Sequence, residues 1–367
     1  MSVPIRVAHV VGKMKGGGVE SVVMNYFRHI DRSKVQFDFL VDADSTLVPR
    51  GEIESLGGRV FEVPPYQHVL AYQRELQYLF KQERWQIVHS HINALSVLPL
   101  RVAKKEGVPI RIAHSHSTSA KDERLKNALK AILKSQANRY PTHRYACSKD
   151  AGKWLFGAET AFDVIPNAIE LERFTFSSEK RNAVRKQLGL NDRDFVIGHI
   201  GRFVKQKNQK FLLEAFSCAS AARDNLRLVL VGEGQSRNDC EEWCAKHNLA
   251  EKVLFLGQRN DVDALYCAFD LFALPSLYEG LGMVAVEAQA CGLICIASPN
   301  IPSEANIANH LGFKQIDSVS EWADCFVSAR VRRDRSVDLA NFSLYDIGYA
   351  ANALCSRYES LLLELRG

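Results

Sequence analysis

The chain has 367 residues, and 47% of them are hydrophobic. Its length exceeds the size at which a single hydrophobic core usually stops growing, so we predict two globular domains. No apolar run approaches the roughly 20 residues that cross a bilayer, so the sequence excludes a spanning helix and leaves only peripheral membrane contact. The net charge of +5 is unevenly distributed along the chain. Residues 1–165 contain 24 Lys and Arg against 16 Asp and Glu, whereas the remaining residues contain 23 against 26. The first half is therefore the better candidate for binding an acidic partner surface.

Short apolar runs alternate with amphipathic segments along the chain, which is the pattern of parallel α/β units. The first predicted strands cover residues 5–11, 35–41, 59–63, 86–90, 110–114 and 143–147. Helices are expected between them at 19–30, 68–83, 93–106, 121–139 and 148–156. A second series of strands follows at 195–201, 226–231, 253–256, 270–274 and 293–297.

The two series predict an α/β protein with two doubly wound, Rossmann-like domains that face each other across a cleft. The junction is expected around IPNAI (165–169), where Pro166 disfavours a helix. We assign residues 1–165 to an N-terminal domain and 166–345 to a C-terminal domain. The final amphipathic segment, 346–367, is compatible with either domain and is grouped with the first.

Three consecutive glycines, Gly16, Gly17 and Gly18, lie between the first strand and its helix. Without Cβ atoms the backbone can approach a phosphate, and the start of the helix supplies N–H donors. The spacing is not the dinucleotide pattern G-x-G-x-x-G, so an ordinary flexible turn is the alternative.

Two His-x-His pairs end neighbouring predicted strands: His89 with His91, and His114 with His116. Alternation along a strand places both members of each pair on one face, so a zinc cluster must be considered. Because no acidic or thiol ligand accompanies them nearby, polar residues of a cleft wall are the favoured interpretation, with one histidine in a catalytic or phosphate-binding role.

Two Asp-x-Asp pairs, 42–44 and 261–263, match the metal-binding signature of one class of sugar transferases, but such pairs are common by chance. Asp261 also lies where a helix N-cap is expected.

All nine cysteines follow residue 146. Without a Cys-x-x-Cys pair or a secretory leader, they indicate reduced thiols of a cytoplasmic protein.

The predicted helix 121–139 has an apolar stripe and six basic residues against two acidic ones. A basic amphipathic helix can lie on an anionic membrane surface, here the inner face of the cell membrane. The alternative is an ordinary helix whose stripe packs on its own sheet and whose lysines are solvated.

In GRFVKQKNQKF (201–211), Arg202 is expected at the end of a strand and Lys207 at the start of the next helix, where together they could neutralise a diphosphate. A solvated basic loop is the alternative.

Further on, YEGLGMVAVEA (278–288) has the glycines of an anion-binding helix start, yet Glu279 and Glu287 bracket it with negative charge. A nucleotide sugar resolves this conflict, because it is an anion flanked by two neutral polyols.

Taken in order, GGGVE, AHSHS, GRFVKQK and EGLGMVAVE resemble the motifs of the retaining glycosyltransferases of family 4, which have the two-domain GT-B fold. The resemblance covers essentially the whole chain and is closest to bacterial enzymes of capsule and exopolysaccharide assembly. It implies sugar transfer from a nucleotide diphosphate sugar without an essential metal or other cofactor. No nucleic-acid partner is expected.

The resemblance also implies that the N-terminal domain, 1–165, lies on the acceptor side and that the C-terminal domain, 166–345, binds the nucleotide sugar. It further implies roles for single residues. Arg202 and Lys207 match the pair that binds the diphosphate, and the glycine loop matches one that approaches it from the other domain. His116 matches a histidine near the transferred sugar, and Glu279 the glutamate that contacts sugar hydroxyls. These two are the catalytic candidates, whereas His91 is assigned to the acceptor side.

The remaining implied contacts concern the nucleotide. Glu287 matches the glutamate that binds ribose hydroxyls, and the backbone of Leu281, Gly282 and Met283 would cap the phosphates. The base is expected at the loop formed by Gln258, Arg259 and Asn260, with Asn208 nearby. Gly282 stands where proline is frequent in the family, which leaves the sugar preference open. No residue is assigned to a metal.

The expected function is therefore transfer of a hexose or N-acetylhexosamine from a UDP-sugar to a glycan or polyprenyl-linked acceptor in surface polysaccharide synthesis. Domain closure would align the reactants, and electrostatic stabilisation of the leaving diphosphate would supply most of the rate gain. A sugar nucleotide epimerase, a glycan phosphorylase and a catalytically inactive nucleotide-binding subunit are the alternatives.

Overall fold

The computed structural model describes residues 3–116 and 133–365 and divides the chain into two compact units. The first unit comprises residues 1–169 with 344–367, and the second comprises 170–343. Each unit is built on a parallel sheet with helices between its strands.

The first unit has a seven-stranded sheet in the order β3-β2-β1-β4-β5-β6-β7, with all neighbours parallel. Its strands are β1 (Ile5–Gly12), β2 (Val35–Asp42), β3 (Arg59–Val63), β4 (Ile87–Ser90), β5 (Ile110–Ser115), β6 (His143–Ala146) and β7 (Asp163–Val164). Its helices include α1 (Gly18–His29), α2 (Arg50–Ser55), α3 (Val69–Glu83), α4 (Val97–Lys105) and α5 (Lys149–Phe156). The strand order reverses direction between β1 and β4, the position at which doubly wound sheets bind ligands.

The second unit has a six-stranded parallel sheet in the order β10-β9-β8-β11-β12-β13. Its strands are β8 (Phe195–Ile200), β9 (Leu226–Val231), β10 (Val253–Phe255), β11 (Leu271–Leu274), β12 (Ile294–Ala297) and β13 (Leu311–Phe313). Its helices include α6 (Ser178–Gln187), α7 (Gln209–Ala222), α8 (Arg237–Lys246), α9 (Val262–Ala268), α10 (Met283–Ala290) and α11 (Val319–Ser328). Here the order reverses between β8 and β11.

The C-terminal helix α12 (Ile347–Glu364) belongs to the first unit, where it packs beside α1 over the sheet. Tyr358 of this helix is fully buried among the strand residues. The chain that enters α12 is tied back to the end of the first unit by a bridge between Ile169 and Asp346. Asp346 also caps the helix by accepting a hydrogen bond from the Tyr349 amide at 2.9 Å.

All eleven predicted strands are present, with ends within one residue of those expected. The sequence analysis missed β7 and β13, because two or three residues give too little periodicity to detect. The helix expected at 93–106 begins with a 3₁₀ turn, Asn93–Ser96, before α4. These differences leave the predicted α/β architecture intact.

The basic segment 121–139 lies largely outside the described residues, so its membrane role stays a prediction. At its described end, Leu133 and Ala137 are buried in the core of the first unit, as expected for a helix that packs on its own sheet. The Lys134 ammonium lies 4.9 Å from the Trp154 ring centroid. In the part of the chain that the structure describes, no helix is long and apolar enough to cross a membrane.

Candidate active site

The loop that follows β8 carries the two cations predicted to bind a diphosphate. Arg202 is exposed, and among the described residues its guanidinium has no hydrogen-bond or ionic partner. Lys207 is only 14% exposed, and its Nζ lies 2.5 Å from Oε1 of Glu279. The structure therefore brings two predicted site residues, 72 positions apart in sequence, into direct contact.

This loop is held in place by the loop that follows the neighbouring strand, β9. Phe203 is fully buried, its amide donates to Glu233 O at 2.9 Å, and its carbonyl accepts from the Ser236 amide at 3.1 Å. Gly234 is required at this contact, because a Cβ there would lie 2.3 Å from Phe203 O. Asn208 ends the loop in the left-handed conformation, with φ of 56°, and begins α7. Arg202 and Lys207 thus project from a fixed backbone.

The segment from Glu279 to Met283 follows β11, the strand beside β8, and leads into α10. Gly282 has φ of 85°, which suits glycine, and occupies the N-cap position of the helix. Within the described chain, the amides of Leu281, Gly282 and Met283 donate to no protein acceptor. Three free N–H groups at a helix start favour a bound anion.

Gln206 fastens the two loops together. Its side-chain Nε2 donates to Tyr278 O at 2.9 Å and lies 3.4 Å from Glu279 Oε2. The backbone carbonyl of Gln206 accepts a hydrogen bond from the Leu277 amide at 2.8 Å. Glu279 is consequently held by Lys207 and Gln206 at once, with its side chain 9% exposed. This fixes the carboxylate beside both the cation and the helix start.

Glu287 lies one turn into α10, where Tyr266 of α9 positions it. The Tyr266 hydroxyl lies 2.8 Å from Glu287 Oε2 and 3.1 Å from Val284 O. Burial raises the pKa of Glu287, although the hydrogen bond from Tyr266 acts in the opposite direction. Glu287 as a whole residue is partly exposed.

The loop predicted to meet the base follows β10, at the edge of the sheet. Gln258 and Asn260 are exposed, whereas the Arg259 guanidinium is paired with Asp261 at 2.6 Å. The Asn208 side chain donates from Nδ2 to Pro275 O at 3.3 Å. The role of this loop stays a prediction.

The Asp-x-Asp pairs are occupied by basic partners. Asp44 pairs with Lys13, and Asp263 with Lys180 at 2.8 Å. Asp261 does hold the N-cap position of α9, but its side chain makes no capping bond because Arg259 takes it. Neither pair joins a group of three candidate metal ligands within residues 3–116 and 133–365.

In the first unit, the glycine loop differs from its expected state. Glu20 of α1 reaches back, and its Oε2 accepts from the amides of Lys15 at 2.9 Å, Gly16 at 2.6 Å and Gly17 at 2.9 Å. The Gly16 and Gly17 amides are therefore bound to Glu20 in this structure. The reason is a capping arrangement in which the third helical residue satisfies the amides before the helix. Gly18 starts the helix itself, and the phosphate role of the loop stays a prediction.

The two His-x-His pairs meet, and a fifth histidine joins them. His91 Nδ1 lies 2.9 Å from His116 Nε2, and His91 Nε2 lies 2.9 Å from His9 Nδ1. In a second series of contacts, His89 Nε2 lies 3.0 Å from His114 Nδ1, and His89 Nδ1 lies 2.6 Å from the Tyr358 hydroxyl. We call these five side chains the histidine cluster.

Burial lowers the pKa of every member of the histidine cluster, to about 3 for His9 and about 4 for His116. The rings also stack, with His114 and His116 centroids 4.0 Å apart. All five imidazoles are therefore neutral near pH 7, and each has one nitrogen that carries a proton and one with a free lone pair.

Two family models match the chain. One described as "Glycosyltransferase Family 4" covers residues 16–173, and one described as "Glycosyl transferases group 1" covers residues 180–316. EpsF of Bacillus subtilis (strain 168), assigned to the glycosyltransferases, is 34% identical over 359 residues, which are 94% of this chain and 93% of that protein. The chain belongs to the family 4 glycosyltransferases.

Other relatives and solved structures agree with this assignment. An Escherichia coli enzyme, UDP-Gal:alpha-D-GlcNAc-diphosphoundecaprenol alpha-1,3-galactosyltransferase, is 28% identical over 349 residues, or 89% of this chain and 87% of that one. Anabaena HepE in complex with UDP has a TM-score of 0.72 at 20% identity, over 96% of this chain and 95% of that chain. Sucrose-phosphate synthase of Thermosynechococcus elongatus has a TM-score of 0.77 at 17% identity, over 98% and 100%. The glycosyltransferase thus has the predicted GT-B fold.

Sequence reasoning missed four residues that shape the site of this glycosyltransferase: Glu20, Gln206, Tyr266 and His9. The spacing of Gly17 and Glu20 is a local capping signal that could have revealed the first. The other three act across strands or helices that are distant in sequence, so no local pattern marks them.

Proposed function

We propose that this glycosyltransferase retains the configuration of a hexose or N-acetylhexosamine as it moves that sugar from a UDP-sugar to a glycan or polyprenyl-linked acceptor. The reaction would serve surface polysaccharide synthesis in the cytoplasm, at the inner face of the cell membrane. UDP-sugar is a co-substrate, and no cofactor or metal is assigned to the transfer.

The contact between Lys207 and Glu279 carries this proposal. It places a cation, a carboxylate and the three amides of Leu281, Gly282 and Met283 at the ends of adjacent strands β8 and β11. The amides and Lys207 suit a diphosphate, whereas a carboxylate beside them suits hydroxyl groups. Glu287, farther along α10, adds a second carboxylate that can accept hydrogen bonds from hydroxyl groups of the ligand.

Two relatives support the donor and acceptor classes. The name of the Escherichia coli relative specifies a UDP-sugar donor and a diphosphoundecaprenol-linked acceptor. HepE has been solved in complex with UDP-glucose. Their identities to this chain are 28% and 19%, so the classes are transferred here as proposals.

In the proposed mechanism, the acceptor hydroxyl attacks the anomeric carbon from the face that the diphosphate leaves. The new C1–O bond forms as the C1–O bond to the β-phosphate breaks, and the hydroxyl proton passes to the departing phosphate oxygen. Lys207, Arg202 and the free amides would stabilise the charge that develops on the diphosphate. Glu279 would orient the sugar through its hydroxyls, and His116 is the second residue assigned to the sugar.

A donor panel tests this function without an acceptor. Purified protein is incubated with UDP-glucose, UDP-galactose, their N-acetyl forms and GDP-mannose, and slow release of nucleotide and free sugar is measured. We expect hydrolysis of one UDP-sugar, with the sugar first released in its original anomeric configuration and no loss of rate in EDTA. Conversion to a different nucleotide sugar would identify an epimerase instead. Hydrolysis that survives in Arg202→Ala would contradict the assigned site.

Tyr266→Phe should raise KM for the donor about 3- to 10-fold and leave kcat nearly unchanged. The variant loses one hydrogen bond that orients Glu287, worth about 0.5–1.5 kcal/mol, and ribose binding is equal in the ground and transition states. Steady-state kinetics check this, with exposed Tyr349→Phe as the matched control. An unchanged KM would remove Glu287 from the donor site.

A further inference from the structure

His199 is a fully buried histidine that the proposed mechanism does not use. It lies one residue before the end of β8, the strand whose following loop carries Arg202 and Lys207. We propose that His199 is a positioning residue, which uses the lone pair of its Nε2 to hold the Lys207 ammonium against the departing diphosphate. This inference rests on the proposed function, because it concerns the same site.

The hydrogen bonding of His199 determines which ring nitrogen carries the proton. Nδ1 lies 2.9 Å from the carbonyl oxygen of Ala273 in the adjacent strand β11. A carbonyl oxygen only accepts, so Nδ1 is the donor. Burial lowers the pKa of His199 to about 4, although the bond to Ala273 O opposes this and the charge of Lys207 adds to it. The ring is therefore neutral near pH 7, and Nε2 has a free lone pair.

This lone pair is buried without a protein partner. Among the residues that the structure describes, no donor forms a hydrogen bond with His199 Nε2. An unsatisfied buried acceptor is costly, and most buried polar atoms in proteins have a partner. The partner of Nε2 is therefore expected from a side chain that moves into place or from the ligand site above the strand.

Lys207 is the cation next to this lone pair. A Cβ placed on Gly201 would lie 3.3 Å from His199 Nε2, 3.2 Å from Lys207 Cδ and 3.3 Å from Lys207 Cε. The ring nitrogen and the end of the lysine stem thus flank one point beside Gly201. Because glycine has no side chain, nothing from this residue separates them.

The ammonium of Lys207 has a donor to spare for His199. It carries three N–H groups, and Glu279 Oε1, at 2.5 Å from Nζ, is its one hydrogen-bond partner in the described chain. The diphosphate would take the second N–H. Rotation about the last bonds of the lysine side chain would turn the third toward Nε2. Three acceptors would then fix the charge at the end of a flexible stem, where it must meet the leaving oxygen.

The variant His199→Asn removes the acceptor and keeps the contact with the strand. Its amide can still donate to Ala273 O but is too short to replace Nε2. We expect kcat for donor hydrolysis to fall about tenfold, as for a lost hydrogen bond to a charged group, with KM within about twofold. The longer His199→Gln can place a carbonyl oxygen near Nε2 and should recover most of the loss.

The matched control is His247, an exposed histidine whose Nδ1 also contacts a backbone carbonyl, that of Trp243 at 2.8 Å. His247→Asn should leave kcat unchanged. Circular dichroism verifies that each variant is folded. Because a change at a buried ring could unfold the second unit, Gly201→Ala is a second variant that leaves the ring in place. Its methyl group would separate Nε2 from the lysine stem and should also lower kcat.

Lys207→Met distinguishes this inference from the proposed function. If His199 acts through Lys207, adding His199→Asn to Lys207→Met should lower kcat no further. A second tenfold loss in the double variant would overturn the inference, as would a wild-type kcat in both His199→Asn and Gly201→Ala while Lys207→Met is impaired. A wild-type kcat in Lys207→Met would instead contradict the role of Lys207 in the proposed function.

Discussion

Lys207→Met should lower kcat for sugar transfer by about 10²- to 10³-fold, the range seen when one preorganised donor to a developing anion is removed. Methionine keeps most of the apolar stem of lysine but removes the charge. Because Lys207 would act on charge that develops as the diphosphate departs, kcat should fall more than the affinity for the donor. Stopped-flow or steady-state assays with the donor found in the panel measure both quantities.

The same substitution also breaks an ion pair, so stability must be separated from catalysis. Lys207→Met leaves the largely buried Glu279 carboxylate without its cation, which should cost about 1–3 kcal/mol of unfolding free energy. The double variant with Glu279→Gln removes both charges and should recover most of that stability. It should recover no activity, because both proposed contacts with the donor are then lost.

The exposed residue Lys210, at the start of α7, offers a matched control. Lys210→Met removes the same charge from the same segment and should keep kcat within about twofold, since surface charges contribute little. If Lys207→Met retained wild-type kcat while Arg202→Ala did not, the leaving group would be stabilised by the exposed cation alone. The ion pair with Glu279 would then be structural.

The fold was predictable because its signals are local. Strands such as FVIGHI (195–200) and LRLVLV (226–231) are buried on both faces in a parallel sheet, so they appear as continuous apolar runs bounded by polar loops. The glycine turns after β1, β8 and β11 are equally local. These features identify the carboxyl ends of the strands, where the candidate site lies.

The contacts within the site depend on strand order, which a single sequence does not contain. His9 is one polar residue in the apolar run IRVAHVVG, and it joins the other histidines only because β1 pairs with β4. The same holds for Lys207 and Glu279, which meet because β8 and β11 are neighbours. The residues alone therefore do not predict which polar side chains are partners. Only the family resemblance indicates some of them.

Lowering the pH from 7.5 to 5.5 should strongly destabilise the first unit, through the histidine cluster. Burial holds the pKa of each of its five rings below the ordinary value of 6.5. The folded state therefore binds fewer protons than the unfolded state in this range, and stability falls as pH drops below about 6.5. Each ring costs about 1.4 kcal/mol one pH unit below that value, so five cost about 7 kcal/mol, comparable to the stability of a domain.

Buried carboxyl groups do not reproduce this effect. Ion pairing and hydrogen bonds from Arg6, Arg59 and Trp85 hold the pKa of Asp38 below its ordinary 3.8, although burial opposes them, so its stabilising contribution is lost only below about pH 4. Burial raises the pKa of Asp42 to about 6, which makes the folded state take up a proton as pH falls and slightly opposes the loss. The expected loss of stability between pH 6.5 and 5 is therefore due to the histidine cluster.

Thermal unfolding followed by circular dichroism at pH 7.5, 6.5 and 5.5 measures the loss, and His9→Phe isolates one member of the cluster. Phenylalanine can keep the stacking on Phe37 but cannot take up a proton, so the slope of unfolding free energy against pH should decrease by about one proton, whatever the variant's stability at pH 7.5. Exposed His247→Phe should leave the slope unchanged. A wild-type stability that stays constant from pH 7.5 to 5.5 would contradict this prediction. The folded state would then take up as many protons as the unfolded state over this range, and the buried rings would titrate near their ordinary pKa of about 6.5.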